Sequence, residues 1–132
     1  MPASFTLDTP RRLVRSRAWG ALSERELLQH ADNVHALFDN GTLDSSWSQL
    51  ADFSDVTSFD EVSSDGIRQL AERNPWPRDS RRVVLAPSPI AFGLSRMYQL
   101  MLGSVEGDRL QVVRTEADAL ALLDAKGSEA ED

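Results

Sequence analysis

A short β-branched run, Val83-Val84-Leu85-Ala86, stops at Pro87, and Ser88-Pro89 then opens a helical pattern. Four consecutive apolar residues describe a strand covered on both faces. Serine before the first turn and proline at its first position set up a helix start. A covered strand leading directly into a helix is the repeating unit of an α/β sheet. The rest of the chain extends this pattern. Residues 4–8 and 12–19 alternate as strands joined at Thr9-Pro10, with Leu13, Arg15, Arg17 and Trp19 on one face and Val14, Ser16 and Ala18 on the other. Neither face is cleanly apolar, which places this pair towards a sheet edge, and Gly20 is expected to end it.

Ser23-Glu24-Arg25-Glu26 is a capping box. Behind it Leu27, Leu28, Ala31, Val34, Leu37 and Phe38 recur at helical spacing until Asn40-Gly41 supplies the stop. Residues 47–53 alternate as a third strand. Ser54-Asp55-Val56 is expected to be a loop, and Ser58-Phe59-Asp60-Glu61 a second capping pattern. A short helix then carries Ile67, Leu70 and Ala71 and ends before Asn74-Pro75. The helix that begins at Pro89 runs to Leu102, with Ile90, Leu94, Met97 and Met101 as its apolar stripe. Residues 110–114 form a last strand. Thr115-Glu116-Ala117-Asp118 caps a final helix through Ala119, Leu120, Leu122 and Leu123, expected to close at Gly127.

The predicted order is β-β-α-β-α-β-α-β-α. It describes a single-domain mixed five-stranded α/β sheet over residues 1–127, with about four flanking helices and an acidic frayed tail at 128–132. The first two strands pair antiparallel and the later β-α-β units are parallel.

At 132 residues the chain can bury a core without metals or disulfides. It has no cysteine, which removes disulfides, zinc thiolates and thiol catalysis. No segment has the length and apolarity of a membrane span, and no signal-peptide pattern precedes Phe5. The expected location is cytoplasmic, without stable membrane insertion. A net charge of −7 and a pI near 4.8 disfavour binding to nucleic acid or to anionic lipid. The basic residues are arginines apart from Lys126. Arg11, Arg12, Arg15 and Arg17 cluster early, and Arg78, Arg81 and Arg82 later. They are read as decorating solvated strand ends and pairing with the carboxylate surplus, and would form an anion site only if the clusters met in space.

Candidate chemistry is sparse. His30 and His35 are five apart on one helix, so they point in different directions, and metal ligands would want three or four. Asp52, Asp55, Asp60, Glu61 and Asp65 lie close in sequence but match no calcium loop. There is no Gly-x-Ser-x-Gly elbow and no glycine-rich phosphate loop. No catalytic residue, cofactor or metal site is assigned, and enzyme activity is not expected. In the Pro89 helix, Gly93 costs about 1 kcal/mol relative to alanine and permits close approach by another backbone or a ligand. Phe92, Gly93, Arg96, Met97 and Tyr98 are therefore the candidate partner or ligand surface.

The order of elements, Asp52-Phe53-Ser54-Asp55-Val56 after the third strand, and the Ala91-Phe92-Gly93-Leu94-Ser95-Arg96-Met97-Tyr98 helix together resemble the SpoIIAA-like family of small bacterial STAS-related proteins. The resemblance covers residues 4–125 and is most specific in the helix. It implies a non-enzymatic regulatory or ligand-responsive module that binds a protein partner and is capable of homodimerising. The family's better-known members are anti-sigma-factor antagonists that bind a kinase and are switched by phosphorylation of a serine following an aspartate. The nearest match here is Asp60-Glu61-Val62-Ser63-Ser64-Asp65-Gly66, in which Glu61 and Val62 intervene, so Ser63 and Ser64 are the candidate phosphorylation sites. The alternative expectation is a carrier or sensor that holds an apolar, lipid-like small ligand in a cavity between sheet and helix.

Overall fold

The structure is a computed structural model, and it describes residues 3–103 and 110–131. Nine elements follow in the predicted order: β1 (Ala3–Asp8), β2 (Leu13–Ser23), α1 (Glu24–Asp39), β3 (Ser48–Glu61), α2 (Ser64–Glu72), β4 (Arg82–Leu85), α3 (Pro89–Met101), β5 (Leu110–Val113) and α4 (Glu116–Glu131). They build one five-stranded sheet in the order β1-β2-β3-β4-β5. β1 pairs antiparallel with β2, and β2 to β5 are mutually parallel, as the sequence predicts.

Side chains alternate across the sheet, and the two faces bury different partners. Ala51, Val84, Ala86 and Leu110 meet Ile67 of α2 and Ala91 and Tyr98 of α3. On the same face Val14 meets Val34 of α1, with Leu43, Trp47 and Trp76 packed around it. The opposite face presents Leu13, Leu50, Val83 and Leu85 to Ala119 and Leu123 of α4. Three helices therefore cover one face and a single helix covers the other.

The starts of α1 and α3 follow their sequence signals, whereas α2 is capped five residues later than its pattern at Ser58. Ser23, Ser63 and Ser88 are N-caps whose side-chain oxygens accept from the backbone N–H of Glu26, Gly66 and Ala91. Each such cap contributes about 1 kcal/mol. In the Ser23 box the Glu26 carboxylate accepts from the Ser23 hydroxyl at 2.7 Å rather than from an orphan backbone donor. α1 ends at Asn40, followed by Gly41 at φ +83°.

Four expectations fail, each for a physical reason. Gly20 does not end β2. It sits at φ +66° inside a strand whose pairing with β3 shifts register around it, and glycine adopts that conformation without a Cβ penalty. Ser54-Asp55-Val56 and the pattern at Ser58 are strand rather than loop and cap, because the extended β2 supplies partners: Trp19 opposite Asp55, Ala21 opposite Ser58, Ser23 opposite Glu61. The apolar stripe of α3 is misplaced by roughly a quarter turn. Its buried residues are Ala91, Ser95, Tyr98 and Gln99, while Ile90 is 63% exposed and Met101 is also outside. α4 continues past Gly127 to Glu131, since one glycine weakens a helix without breaking it and no proline follows. Residues 128–131 lie within α4, and Asp132 lies outside the described residues.

Candidate functional site

The face under α1, α2 and α3 is apolar except along one diagonal. β2 contributes Ser16 between Val14 and Ala18, β3 contributes Gln49 before Ala51, and β4 contributes Arg82 before Val84. Strand alternation fixes all three to the covered face, where they are 7%, 5% and 8% exposed. Buried polar groups must find partners, and these find one another. The Gln49 side-chain amide donates to the Ser16 hydroxyl at 3.1 Å and accepts from Arg82 Nε at 3.0 Å. Ser16 Oγ lies 2.9 Å from His30 Nε2 of α1. Arg82 donates further to Asn74 Oδ1 at 3.0 Å and to the Tyr98 hydroxyl at 3.1 Å.

The connector after α2 and helix α3 close around the guanidinium. Asn74 is held by reciprocal bonds with the Trp76 backbone, accepting from its N–H and donating to its carbonyl, both at 3.2 Å. The Arg82 guanidinium carbon lies 5.6 Å from the Trp76 ring centre and 5.5 Å from that of Tyr98, so aromatic faces take up part of the charge. No carboxylate pairs with Arg82 among the described residues. This corrects the expectation for Arg82: it is a buried cation among neutral acceptors, not a solvated strand-end group. Arg17 does follow the expectation, pairing with Asp55 at 2.7 Å on the exposed side.

A cavity of about 110 Å³ opens beside this network. Ser16, Gln49, Arg82, Asn74 and Tyr98 stand in its wall together with His30. The remaining wall is largely apolar: Ala51, Phe53 and Val84 from the sheet, Leu27, Ala31 and Val34 from α1, Ile67 and Leu70 from α2, Ala91 and Leu94 from α3, with Phe59 and Val62. Along the strands the wall changes from the polar row at Gln49 and Arg82 to the aromatic pair Phe53 and Phe59, whose ring centres are 6.3 Å apart. Burial lowers the pKa of His30 below its ordinary value, favouring the neutral ring. Its ring also meets Phe5 edge-on at 5.4 Å.

The residues singled out in the sequence scatter across this architecture. Tyr98 enters the cavity wall and the Arg82 network. Phe92 packs on the core with the Arg114 guanidinium 5.5 Å from its ring, and Met97 packs half-buried on the same core. Gly93 is exposed, and a Cβ there would meet nothing within 4 Å, so among the described residues no backbone outside α3 approaches it. Arg96 is exposed and donates to Gln99 Oε1 at 2.6 Å. Ser63 caps α2, and its hydroxyl donates to Glu24 Oε1 at 2.7 Å; Ser64 is exposed in the first turn. That bond and a second one from the Ser63 N–H lower the Glu24 pKa. The acidic series from Asp52 to Asp65 is spread along β3 and into α2, and among the described residues no group of three or more potential ligands could hold a metal ion. His35 is exposed beside Asp39, away from His30. Among the described residues no helix is long and apolar enough to cross a membrane.

Sequence reasoning missed Ser16, Gln49 and Asn74, and named Arg82 only within an anion site conditional on the two arginine clusters meeting. The signal was present as parity: each of the three strand residues shares its face with apolar neighbours two positions away. Comparison with protein-family models gives no match, and comparison with curated proteins gives none either.

Proposed function

We propose that this chain is a non-enzymatic, cytoplasmic, STAS-like module that holds a small apolar ligand between its sheet and helices, as carrier or sensor. The observation that carries the reading is the cavity of about 110 Å³, apolar over most of its wall and polar at one end. Ligand sites combine these two features: apolar surface supplies affinity and a few placed polar groups set orientation. A native mass spectrum of protein purified gently from its own host tests it. The reading expects a discrete added mass that is lost on denaturation. Protein that arrives bare, and stays bare after incubation with millimolar benzyl alcohol or hexanol, contradicts it.

A second reading, the regulatory module that binds a protein partner, is favoured by the outer side of α3. Ile90 and Leu100 are 63% and 64% exposed there, with Met101 also outside. Three large apolar side chains on one short helix exceed the scattered exposure that needs no explanation. A second copy of the chain is the occupant most simply tested. Sedimentation of the wild type and of Leu100→Glu should then show a dimer only in the former, and a monomer in both removes self-association.

A further inference from the structure

We infer that the ligand of this cavity is a small apolar monocarboxylate, its anionic head held by Arg82 and Tyr98 and its body lying along the sheet towards Phe53 and Phe59. The inference rests on the cavity reading above and adds the head group and the size.

The head group follows from charge. Arg82 brings a permanent positive charge into the interior, and no carboxylate of the described residues pairs with it. A buried charge is stable when paired and hydrogen-bonded. A guanidinium has five N–H donors; the bonds to Gln49, Asn74 and Tyr98 engage one at each nitrogen. Among the other ionisable groups of the wall, Arg17 is committed to Asp55, and the Asp52 carboxylate accepts from the Ser54 N–H and makes no ion pair with Arg82. His30 is kept towards its neutral form by burial.

A carboxylate matches the planar fork of arginine and accepts from a tyrosine hydroxyl as well. The carbonyl oxygens of Gln49 and Asn74 already lie against the guanidinium, so a doubly charged phosphate would meet more repulsion than a monoanion. The body follows from volume. An apolar cavity of about 150 Å³ admits benzene, and this one is of similar scale, so an aryl ring or a chain of about six carbons fits within it.

Paired probes that differ only in the head group test the inference: benzoate against benzamide, and hexanoate against hexanamide, titrated calorimetrically into the full chain at pH 7. Trp76 fluorescence is a second readout, because its ring lies beside Arg82. Each carboxylate should bind at least ten-fold more tightly than its amide. Arg82→Met should abolish that preference. Arg82→Lys keeps the charge without the fork and should lose several-fold in carboxylate affinity, which covers the case in which Arg82→Met does not fold. Equal affinity for acid and amide in the wild type overturns the head-group inference and leaves the cavity reading standing. A preference that survives Arg82→Met, or one that Arg82→Lys leaves undiminished, overturns it as well. Absence of binding by all four probes overturns both.

Discussion

Arg82 stands in a row of the sheet between Gln49 and Leu110, on a face where Ala51 and Val84 come next along the strands. Its charge is accommodated by neutral oxygens and two aromatic rings, so each oxygen matters to stability. Removing one partner of a buried hydrogen bond costs the desolvation of the group left behind, about 1–3 kcal/mol. Tyr98→Phe and Gln49→Met are each expected to lower unfolding free energy by about that amount, measured by urea titration. Values within about 0.5 kcal/mol of wild type, the range of ordinary surface substitutions, would show that the network does not hold Arg82. His30 adds a pH signature. Its folded pKa lies below the ordinary 6.5, so the unfolded chain binds the extra proton. This contribution is complete above pH 6.5, declines as pH falls below it, and levels off beneath the folded pKa. The stability difference between wild type and His30→Gln should therefore shrink between pH 7.5 and 5.5. A constant difference contradicts the neutral, buried assignment. The lowered carboxyl pKa values of Glu24, Asp44 and Asp65 act in a separate window: their contributions are present above the ordinary carboxylate range and fade as pH falls through the folded values.

At the scale of elements, two glycines separate strain from space. Gly20 holds φ +66° inside β2, whereas Gly93 has no positive φ and open surroundings. Gly20→Ala is expected to cost about 1–2 kcal/mol, and Gly93→Ala to add about 0.5–1 kcal/mol by helix propensity. Thermal melts of the two variants should move in opposite directions; destabilisation by Gly93→Ala would mean that something approaches this helix in the folded state. The start of α2 supplies a second comparison. Both asparagine and aspartate cap helices well, but a carboxylate at position 63 faces Glu24 where the serine hydroxyl donates to it. Ser63→Asp should therefore be less stable than Ser63→Asn at pH 7, with the gap closing in acid. Equal stability at pH 7 would show that Glu24 does not sense charge at the α2 cap. The caps at Ser23 and Ser88 were legible in the chain because local spacing encodes them, whereas the cap of α2 was expected at Ser58 and lies at Ser63. The second half of β3 was not, since serine, aspartate and threonine read as loop, and only the neighbouring β2 turns residues 54–61 into strand. The buried side of α3 was unreadable for a related reason. Helical spacing offers two apolar sides, and the sheet selects the one with Ala91 and Tyr98 over Ile90 and Met101.

For the whole molecule, strand and helix order, pairing sense and strand count follow from sequence periodicity, because each β-α unit carries its own start and stop. The distribution of helices, three on one face and one on the other, does not, because it depends on how crossovers pack. That asymmetry produces the cavity: α1, α2 and α3 meet over Ala51 and Val84, whose small side chains leave the space that Arg82 borders. The candidate site was legible in Tyr98 and, as one of a conditional arginine cluster, in Arg82, while the rest of its polar core needed three separate strands brought into register. NMR of bound benzoate, with nuclear Overhauser contacts to assigned methyl groups, tests the account most directly. Contacts from the ring protons to the methyls of Ala51, Val84, Ala91 and Leu94 are the predicted result. Contacts confined to Ile90, Leu100 and Met101 on the outer side of α3, or none at all, would contradict it.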